Sequence, residues 1–436
     1  MTKKSKNLLI AILLVSILLR VGAAFYFGNQ VVELPGTFDQ ISYHQLALRV
    51  SGGHGFSFGE QWWPITKADA PTAHWSFLYT LYLALVYTIF GPNPLMARIL
   101  QAIIAGALLP WMTYKLGKYL FSEAIGLIAA GISAVYIYFV YYAATLMTES
   151  FYILAILASL YMAMLLVETN RSTEKWQKVK YALLLGLIAG IAVLLRQLFM
   201  LFVPFLFLWV WWSGRKTGTK SLIPALVLAA VIIVTMILPF TIYNYARFDR
   251  FVLLNTNSGY AFFWGNHPIY GTHFEPILPP EMGSYQELIP QEVRSLDEAA
   301  LEQELLKRGI QFILDDPGRY ILLSLSRIPP YFMFWPSPDS GTISNISRVF
   351  SFGLLWPFML YGLIRVPFWK EAKFKFKIVS PYFLVYLFIF IYALIHIMTW
   401  TLIRYRLPID ALLVIFSAIP LYEGFHYFSG RKALKA

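Results

Sequence analysis

The stretch LIPALVLAAVIIVTMILPFTIY, residues 222–243, contains no Asp, Glu, Lys, Arg or His. A helix of about 20 apolar residues is as long as the hydrocarbon core of a bilayer is thick, so this stretch is predicted to span a membrane. Similar stretches recur along the chain, at 8–27, 95–114, 124–142, 146–167, 181–195, 198–212, 347–368, 379–398 and 408–428. The sequence therefore predicts an all-α polytopic membrane protein with about ten transmembrane helices.

The composition of the whole chain agrees with a membrane protein. Of the 436 residues, 58% are hydrophobic and only 13% are charged, whereas about 25% are charged in an ordinary soluble domain. The chain contains no cysteine, which excludes disulfides, thiolate nucleophiles and zinc sites built on thiolates. Its net charge of +12 raises the question of nucleic acid, and the positions of the basic residues answer it.

Basic residues cluster in short segments beside the predicted spans, at 3–6, 115–118, 171–180, 215–220, 370–377 and 431–435. If the apolar stretches 75–90 and 320–335 stay outside the bilayer, the spans place all these segments and both termini on one side. Short loops rich in Lys and Arg face the cytoplasm, so the positive charge is expected to meet the anionic lipid of an inner (plasma) membrane and not nucleic acid. Stretch 75–90 is then an interfacial helix, and the alternative is a true span.

Two long loops, 28–74 and 244–346, are then predicted on the extracytoplasmic side. The second loop is rich in Asp and Glu, and its segment 284–314 is predicted to form one or two soluble helices. The apolar stripe of these helices consists of Leu301, Leu305, Ile310 and Ile313. Arg20 interrupts the first span and no small-residue cleavage site follows it, so this span is expected to be an uncleaved anchor.

Asp39 opens a segment in which Tyr43 and Ala47 follow on the same helical face. A carboxylate at a helix N-terminus is held ionised by the positive end of the helix dipole. In the predicted topology Asp39 lies where the membrane meets water, which suits a general base. The alternative is that Asp39 only caps the helix.

Ionisable residues also fall at the ends of spans on the same side as Asp39, at Arg98, Glu149, Arg196, Arg404 and Arg406. Each costs about 2.5 to 3.5 kcal/mol at the centre of a bilayer on insertion scales, so such a residue usually faces a polar cavity. Guanidinium groups pair bidentately with phosphate, and several of them at the depth of lipid headgroups suit a phosphate esterified to a lipid. The alternative is that they reach to ordinary headgroups.

The outer loops also contain histidines, at His44, His54, His74, His267 and His273. Together with Asp39, Asp69 or Glu149 they could supply ligands to a divalent metal, but none has the spacing of a known metal motif. Metal ligands are therefore not assigned, and no cofactor is firmly predicted.

Several short motifs, taken in their order along the chain, resemble one family. They are FDQISYHQLA at 38–47, Gly53-His-Gly55, PTAHWSFLY at 71–79, Phe90-Gly91, Ala97-Arg98, LMTES at 146–150, Leu195-Arg196, 254–268 and Arg404-Tyr-Arg406-Leu-Pro408. These motifs resemble the GT-C superfamily of polyprenyl-phosphate-sugar glycosyltransferases. Within it they are most similar to the branch of the lipid A aminoarabinose transferases and protein O-mannosyltransferases.

The resemblance implies a GT-C fold with a seven-span catalytic module at 1–243, which holds the first outer loop 28–74 and the interfacial helix 75–90. Residues 244–346 are then the large outer loop, and 347–436 form the C-terminal membrane helices. The charge-based count independently places seven spans before the second long loop.

The resemblance also implies roles for single residues. Asp39 is similar to the essential acid of the family's first loop, and Arg98 and Arg196 look like residues on the phosphate side. Glu149 falls where several members have a carboxylate in the cavity. The remaining predicted substrate-binding residues are Tyr43, Lys67, His74, Tyr260, His267, Arg404 and Arg406.

The chain departs from the family before the interfacial helix. The family's usual basic residue followed by paired prolines is here Asp69-Ala-Pro71-Thr-Ala-His74. A lysine contact to phosphate at this point is therefore in doubt, and Lys67 or His74 is the candidate substitute.

The implied activity is the transfer of a sugar from a polyprenyl-phosphate donor to a lipid or protein acceptor on the extracytoplasmic face, with inversion. The main rival is a transporter or flippase of a lipid-linked anion, which explains the arginines but leaves the long acidic loop and the Asp39 helix without a task. A second rival is a noncatalytic assembly factor of a cell-envelope complex.

Overall fold

The computed structural model describes residues 1–33, 38–170, 175–217, 221–338, 340–369 and 373–428. Several basic residues used for the topology lie outside these ranges, namely Arg171, Lys220, Lys370, Arg431, Lys432 and Lys435. Within the ranges the chain forms helices and no β-strand, apart from two isolated β-bridges in the first loop. The all-α polytopic fold class predicted from the sequence is confirmed.

The α-helices follow one another as α1 (Lys3–Phe27), α2 (Asp39–Ser51), α3 (Phe77–Phe90), α4 (Pro94–Leu120), α5 (Glu123–Val135), α6 (Ile137–Ala143), α7 (Glu149–Thr169), α8 (Lys175–Leu195), α9 (Val203–Thr217), α10 (Ile223–Phe248), α11 (Asn257–Asn266), α12 (Glu298–Asp315), α13 (Pro317–Ser326), α14 (Ile328–Tyr331), α15 (Thr342–Arg348), α16 (Leu354–Phe368), α17 (Pro381–Met398) and α18 (Leu407–Phe428). Short 3₁₀ turns are Gln197–Leu201, Pro268–Tyr270, Pro280–Met282, Gln291–Val293 and Ile403–Arg406, and Val349–Gly353 is a π-helical turn.

In the described part of the chain, nine helical segments are long and apolar enough to cross a membrane. They are α1, α4, α7, α8, α9, α10, α15 joined to α16, α17 and α18. A tenth crossing consists of α5 and α6, which are bent by 56°. The expected number of spans is therefore found, but the predicted span 124–142 is broken and not one straight helix.

A buried arginine of α1 explains how this break is tolerated inside the membrane. Arg20 is fully buried, and its guanidinium donates to the carbonyls of Ala134 at 2.9 Å and Ser133 at 3.0 Å. These carbonyls lie in the last turn of α5, where the helix leaves them without an internal partner. Since lipid supplies no hydrogen bonds, a protein donor must satisfy them, and Arg20 does so.

A second polar side chain shapes the turn before α7. The predicted span begins at Leu146, but the helix begins at Glu149, after a non-helical turn. Gln101 of α4 donates from Nε2 to the carbonyls of Tyr142 at 3.2 Å and Thr145 at 2.7 Å. The turn is thereby held against α4, and Glu149 becomes the first residue of a helix.

Contacts between loops identify one end of the helix bundle as basic. The Lys118 ammonium lies 2.8 Å from a carboxylate oxygen of Glu123, and the amino group of Met1 lies 3.8 Å from the same oxygen. Lys373 donates to the carbonyl of Tyr119 at 2.9 Å. Three of the predicted basic segments therefore share one end, and Asp39, Glu149, Arg196 and Arg404 lie together at the other.

The interfacial stretch 75–90 forms the helix α3. At about 1.5 Å per residue its 14 residues rise about 21 Å, short of the hydrocarbon thickness of about 30 Å. The Oγ of Ser76 caps the helix by accepting from the amide of Tyr79. Its assignment to the interface stays a prediction.

In the second loop only α12 covers part of the predicted helical segment 284–314. Leu301 and Leu305 are buried as expected, but Ile310 is exposed, so the predicted apolar stripe is wrong at that residue. Gly309 is the buried residue instead, because α11 approaches so closely that a Cβ there would lie 3.2 Å from the Cα of Phe263.

Replacing Arg20 tests the account of the broken span. In Arg20→Leu the carbonyls of Ser133 and Ala134 lose their donor, and we expect the protein to lose roughly 2 to 3 kcal/mol of stability. Thermal unfolding in detergent measures the loss. Leu18→Ala, a change on the exposed side of the same helix, is the control. Equal unfolding temperatures for Arg20→Leu and the unchanged protein would contradict the capping role.

Candidate active site

Four charged residues form a connected cluster at the end of the bundle opposite the basic loops. Arg404 pairs with Asp39 at 2.8 Å and approaches Glu149 at 4.0 Å. Arg196 forms an ion pair with the same oxygen of Glu149, and its Nε donates to Thr148 at 2.9 Å. We refer to Asp39, Arg404, Glu149 and Arg196 as the four-charge cluster.

Local structure explains why these residues meet. Asp39 and Glu149 are the first residues of α2 and α7, where the helix dipole favours a negative charge. Arg196 follows the last residue of α8, and Arg404 lies in the 3₁₀ turn before α18. The N-cap of α2 is Phe38, which makes no side-chain cap, so Asp39 is not the capping residue considered from the sequence.

Exposure within the four-charge cluster is graded. The side chain of Glu149 is 2% exposed and that of Arg404 is 12% exposed, whereas Asp39 is 30% exposed. Two positive and two negative charges balance, which offsets much of the cost of removing them from water. A ligand can therefore reach the cluster from the side of Asp39, while Glu149 lies behind the arginines.

Aromatic rings hold both guanidinium groups in place. The Arg196 guanidinium lies 5.5 Å from the ring centroid of Tyr405 and 5.6 Å from that of Tyr152. The guanidinium of Arg404 lies 5.2 Å from the ring of Tyr405 as well. Tyr405 thus contacts both arginines, and cation–π attraction favours this arrangement.

Two predicted residues, Tyr43 and His74, lie close enough to Asp39 to sense its charge. Burial raises the pKa of Tyr43, and the negative charge of Asp39 raises it further. Burial lowers the pKa of His74 from 6.5 to about 4, partly opposed by Asp39. His74 is therefore neutral at physiological pH and cannot act as a positive contact to phosphate.

His74 belongs to an aromatic group that also contains Tyr260. The His74 ring centroid lies 5.2 Å from Tyr260, 4.6 Å from Trp75 and 5.8 Å from Trp63. Trp63 in turn packs edge-on against Phe38, the residue before Asp39. The group forms an apolar wall beside the four-charge cluster.

Arg98 and Arg406 do not join this cluster. Arg98 donates to the carbonyl of Gly28 at 2.5 Å and to Gln40 at 3.3 Å, so it closes the end of α1. Arg406 is fully buried and pairs with Asp410 at 2.9 Å. The convergence expected from the sequence therefore holds for Arg196 and Arg404 but not for these two, whose donors are used inside the fold.

Lys67 and His267 also lie in loop contacts away from the cluster. Lys67 donates to the carbonyl of Ser295 at 3.0 Å, which joins the first loop to the second. His267 accepts from the amide of Ile269 at 3.2 Å, and burial lowers its pKa to about 4. Neither contact places these side chains beside Asp39.

A buried carboxylate that sequence reasoning missed joins the two outer loops. Glu298, the first residue of α12, accepts from the amide of Ala73 at 2.8 Å and from the hydroxyls of Thr66 at 3.0 Å and Thr256 at 2.6 Å. Burial raises its pKa. In the sequence Glu298 is one of many acids of the loop, and only its place after Asp297 at a helix start distinguishes it.

The motif at 254–268 supports the same junction. Asn255 donates to the carbonyls of Ala73 at 2.9 Å and Trp75 at 2.7 Å, and Asn257 donates to the carbonyl of His74 at 3.0 Å. Gln197, the neighbour of Arg196, donates to Asn257 at 3.0 Å. The backbone around His74 is thereby held in register with the four-charge cluster.

Among the described residues, no three or more His, Asp or Glu side chains are grouped so that they could hold a metal ion. The metal ligand set considered from the sequence is thus not assembled, and no chemical step below is assigned to a metal.

Comparison with known proteins agrees with this architecture. Residues 74–243 match the model of the family described as dolichyl-phosphate-mannose-protein mannosyltransferase. Similar solved structures include the archaeal oligosaccharyltransferase AglB from Archaeoglobus fulgidus in complex with an inhibitory peptide and a dolichol-phosphate, with a TM-score of 0.62 and 14% identity over 98% of this chain and 51% of that chain. The apo form of the Archaeoglobus fulgidus oligosaccharyltransferase matches with the same TM-score, identity and coverage.

ArnT from Cupriavidus metallidurans in the apo state matches with a TM-score of 0.48 and 10% identity over 98% of this chain and 62% of that chain. The chain spans about half the length of the oligosaccharyltransferase. No protein of curated function matches it by sequence. The resemblance to the GT-C superfamily is confirmed: the chain is an integral membrane protein with the fold of the GT-C glycosyltransferases.

The neutral state of His74 has a measurable consequence. As the pH falls from 6.5 to about 4, the unfolded chain binds a proton at His74 that the folded chain does not, so the free energy of unfolding decreases. We expect His74→Gln to remove this part of the acid destabilisation, about 3 kcal/mol. Thermal unfolding at pH 7.5 and 4 measures it. His273→Gln, at an exposed position, is the control, and parallel pH profiles for all three proteins would contradict the buried neutral His74.

Proposed function

We propose that this chain is a glycosyltransferase that transfers a sugar from a polyprenyl-phosphate donor to a lipid or protein acceptor. The observation that carries the proposal is the four-charge cluster, in which a partly exposed carboxylate lies beside two guanidinium groups at the ends of membrane spans. The active module comprises residues 1–243, the large outer loop 244–346 covers it, and residues 347–436 contribute Arg404.

The arginines support a phosphate donor attached to lipid. Guanidinium groups bind phosphate oxygens through paired hydrogen bonds, and these two lie at the depth where spans end. The oligosaccharyltransferase of the same fold is described in complex with a dolichol-phosphate. We extend that class of lipid to this chain, whose own sugar and acceptor are left general.

In the proposed reaction, the acceptor oxygen attacks the anomeric carbon on the face opposite the lipid phosphate. The bond from this carbon to the phosphate oxygen breaks, its electron pair stays with the phosphate, and the configuration inverts. Arg196 and Arg404 lower the barrier because the departing phosphate gains negative charge as the bond breaks. Asp39 takes the proton of an acceptor hydroxyl.

The pairing of Arg404 with Asp39 in the free protein fits this scheme. A phosphate competes with the carboxylate for the donors of Arg404, so binding of the donor lipid releases Asp39 to face the acceptor. If the acceptor is itself a phosphate, no base is needed and Asp39 orients a substrate instead.

The reaction is placed on the extracytoplasmic face of an inner (plasma) membrane. This assignment rests on the basic loops at the opposite end of the bundle, where Lys118 and Lys373 lie. Proteoliposomes that present the four-charge cluster on one side, supplied with donor on either side, would test it.

Purified protein and a labelled polyprenyl-phosphate sugar separate the proposal from its rivals. A glycosyltransferase moves label to an acceptor and releases the lipid phosphate. A flippase moves the intact donor across the bilayer, and a noncatalytic assembly factor does neither.

Replacing Asp39 tests the base. Asp39→Asn should remain folded and bind donor lipid, but transfer to a hydroxyl acceptor should fall about 10² to 10⁴ fold, because general base catalysis contributes that much. Label transfer by the purified variants is the measurement. Asp69→Asn, an exposed acid of the same loop, is the matched control. Turnover by Asp39→Asn near that of the control would remove Asp39 from the mechanism.

Replacing Arg196 tests the phosphate contact. Arg196→Ala should raise the KM for the donor roughly ten- to a hundredfold, since it loses charge-assisted hydrogen bonds to the phosphate. Because this variant also leaves buried Glu149 without its partner, Arg196→Lys, which keeps the charge, should show an intermediate KM. Arg250→Ala, in an exposed pair of the outer loop, is the control. An unchanged donor KM in folded Arg196→Ala would count against the contact.

A further inference from the structure

The helix α13 and the short α14 after it have an unusual distribution of side chains. From 321 to 329 every exposed residue is apolar, and the set consists of Ile321, Leu322, Leu325, Ile328 and Pro329. The exposed fractions of Ile321, Leu322 and Leu325 are 58%, 54% and 53%. A helix on a water-facing surface shows the reverse pattern, with polar residues outward.

The polar residues of this segment point inward. Arg327 is fully buried, and its guanidinium donates to the carbonyl of Gly265, to Asn266 at 3.0 Å and to the carbonyl of Ile397 at 3.1 Å. Ser324 is also buried. Arg319 donates to the carbonyl of Asn266 at 2.9 Å. The segment is therefore attached to the protein by polar contacts and presents its apolar face outward.

These contacts also locate the segment relative to the membrane. Ile397 and Met398 end the span α17, and the hydroxyl of Tyr320 donates to the carbonyl of Met398 at 3.0 Å. On the same span Phe390 and Met398 are exposed apolar residues, which in a membrane helix face lipid. The apolar face of α13 thus begins where the lipid-facing surface of α17 ends.

We propose that α13 lies in the plane of the membrane surface, with Ile321, Leu322, Leu325 and Ile328 among the acyl chains of the leaflet at this end of the bundle. Apolar surface of this extent is unfavourable in water, and an interfacial helix buries it at the boundary between headgroups and acyl chains. The occupant of the face is therefore the bilayer itself. This proposal does not depend on glycosyl transfer.

The attachment has a structural consequence. Through Arg327 and Arg319, α13 holds the end of α11 at Gly265 and Asn266, and α11 carries Tyr260 beside His74. The depth of α13 in the membrane therefore helps to set the height of the second outer loop above the four-charge cluster.

The absence of cysteine from the chain allows a direct test. Leu322→Cys and Leu325→Cys place single thiols on the apolar face, and Gln303→Cys and Lys307→Cys place matched thiols on the exposed face of α12. Each variant is labelled with bimane and reconstituted in phosphatidylcholine and phosphatidylglycerol vesicles. Because the four positions are exposed, we expect unfolding temperatures close to that of the unchanged protein.

Two quenchers report the surroundings of the label. We expect a lipid with a doxyl group near its headgroup to quench bimane at 322 and 325 at least threefold more than at 303 and 307, and iodide in the water to show the opposite order. Quenching of 322 and 325 by iodide as strong as at 303 would place the face in water and overturn the proposal. Protection from both quenchers would mean that protein covers the face, which also overturns it.

Discussion

The structure depends on the pairing of charges that are removed from water at one end of the membrane bundle. Glu149 is 2% exposed, and a buried carboxylate without a partner would cost several kcal/mol. Arg196 and Arg404 supply that partner from two distant parts of the chain, and Arg404 also holds Asp39. The ends of α2, α7, α8 and α18 must therefore meet. A site with both signs of charge is a consequence of this requirement and also the source of the proposed chemistry.

The same rule governs the breaks in the helices. Where a helix stops inside the membrane, Arg20 and Gln101 donate to the carbonyls that remain, and Arg327 does so beneath the second loop. Glu298 performs the complementary task by accepting from an amide and two hydroxyls where the outer loops meet. Irregular backbone is thus placed beside polar side chains, which fixes the loops over the four-charge cluster without a large apolar core of their own.

The sequence predicted the spans well because hydrophobic length is a local property. It also predicted that Asp39, Glu149, Arg196 and Arg404 lie at one membrane surface, since charge in a span is costly and points to a polar environment. It did not distinguish these arginines from Arg98 and Arg406, which bind backbone carbonyls and Asp410 inside the fold. An arginine at a span end has the same sequence signature in both cases, because its partner is contributed by another helix.

The sequence by itself determined that this is a polytopic helical membrane protein, which end of the bundle is basic, and which carboxylate lies at a helix start near the surface. Only the tertiary structure decided that Arg404 and Arg196 share Glu149, that His74 is buried and neutral, and that the apolar side of α13 faces outward. Hydrophobic length and charge are read along the chain one segment at a time. Ion pairs, burial and the facing of a helix arise between segments that are far apart in sequence, so they exist only once the helices have packed.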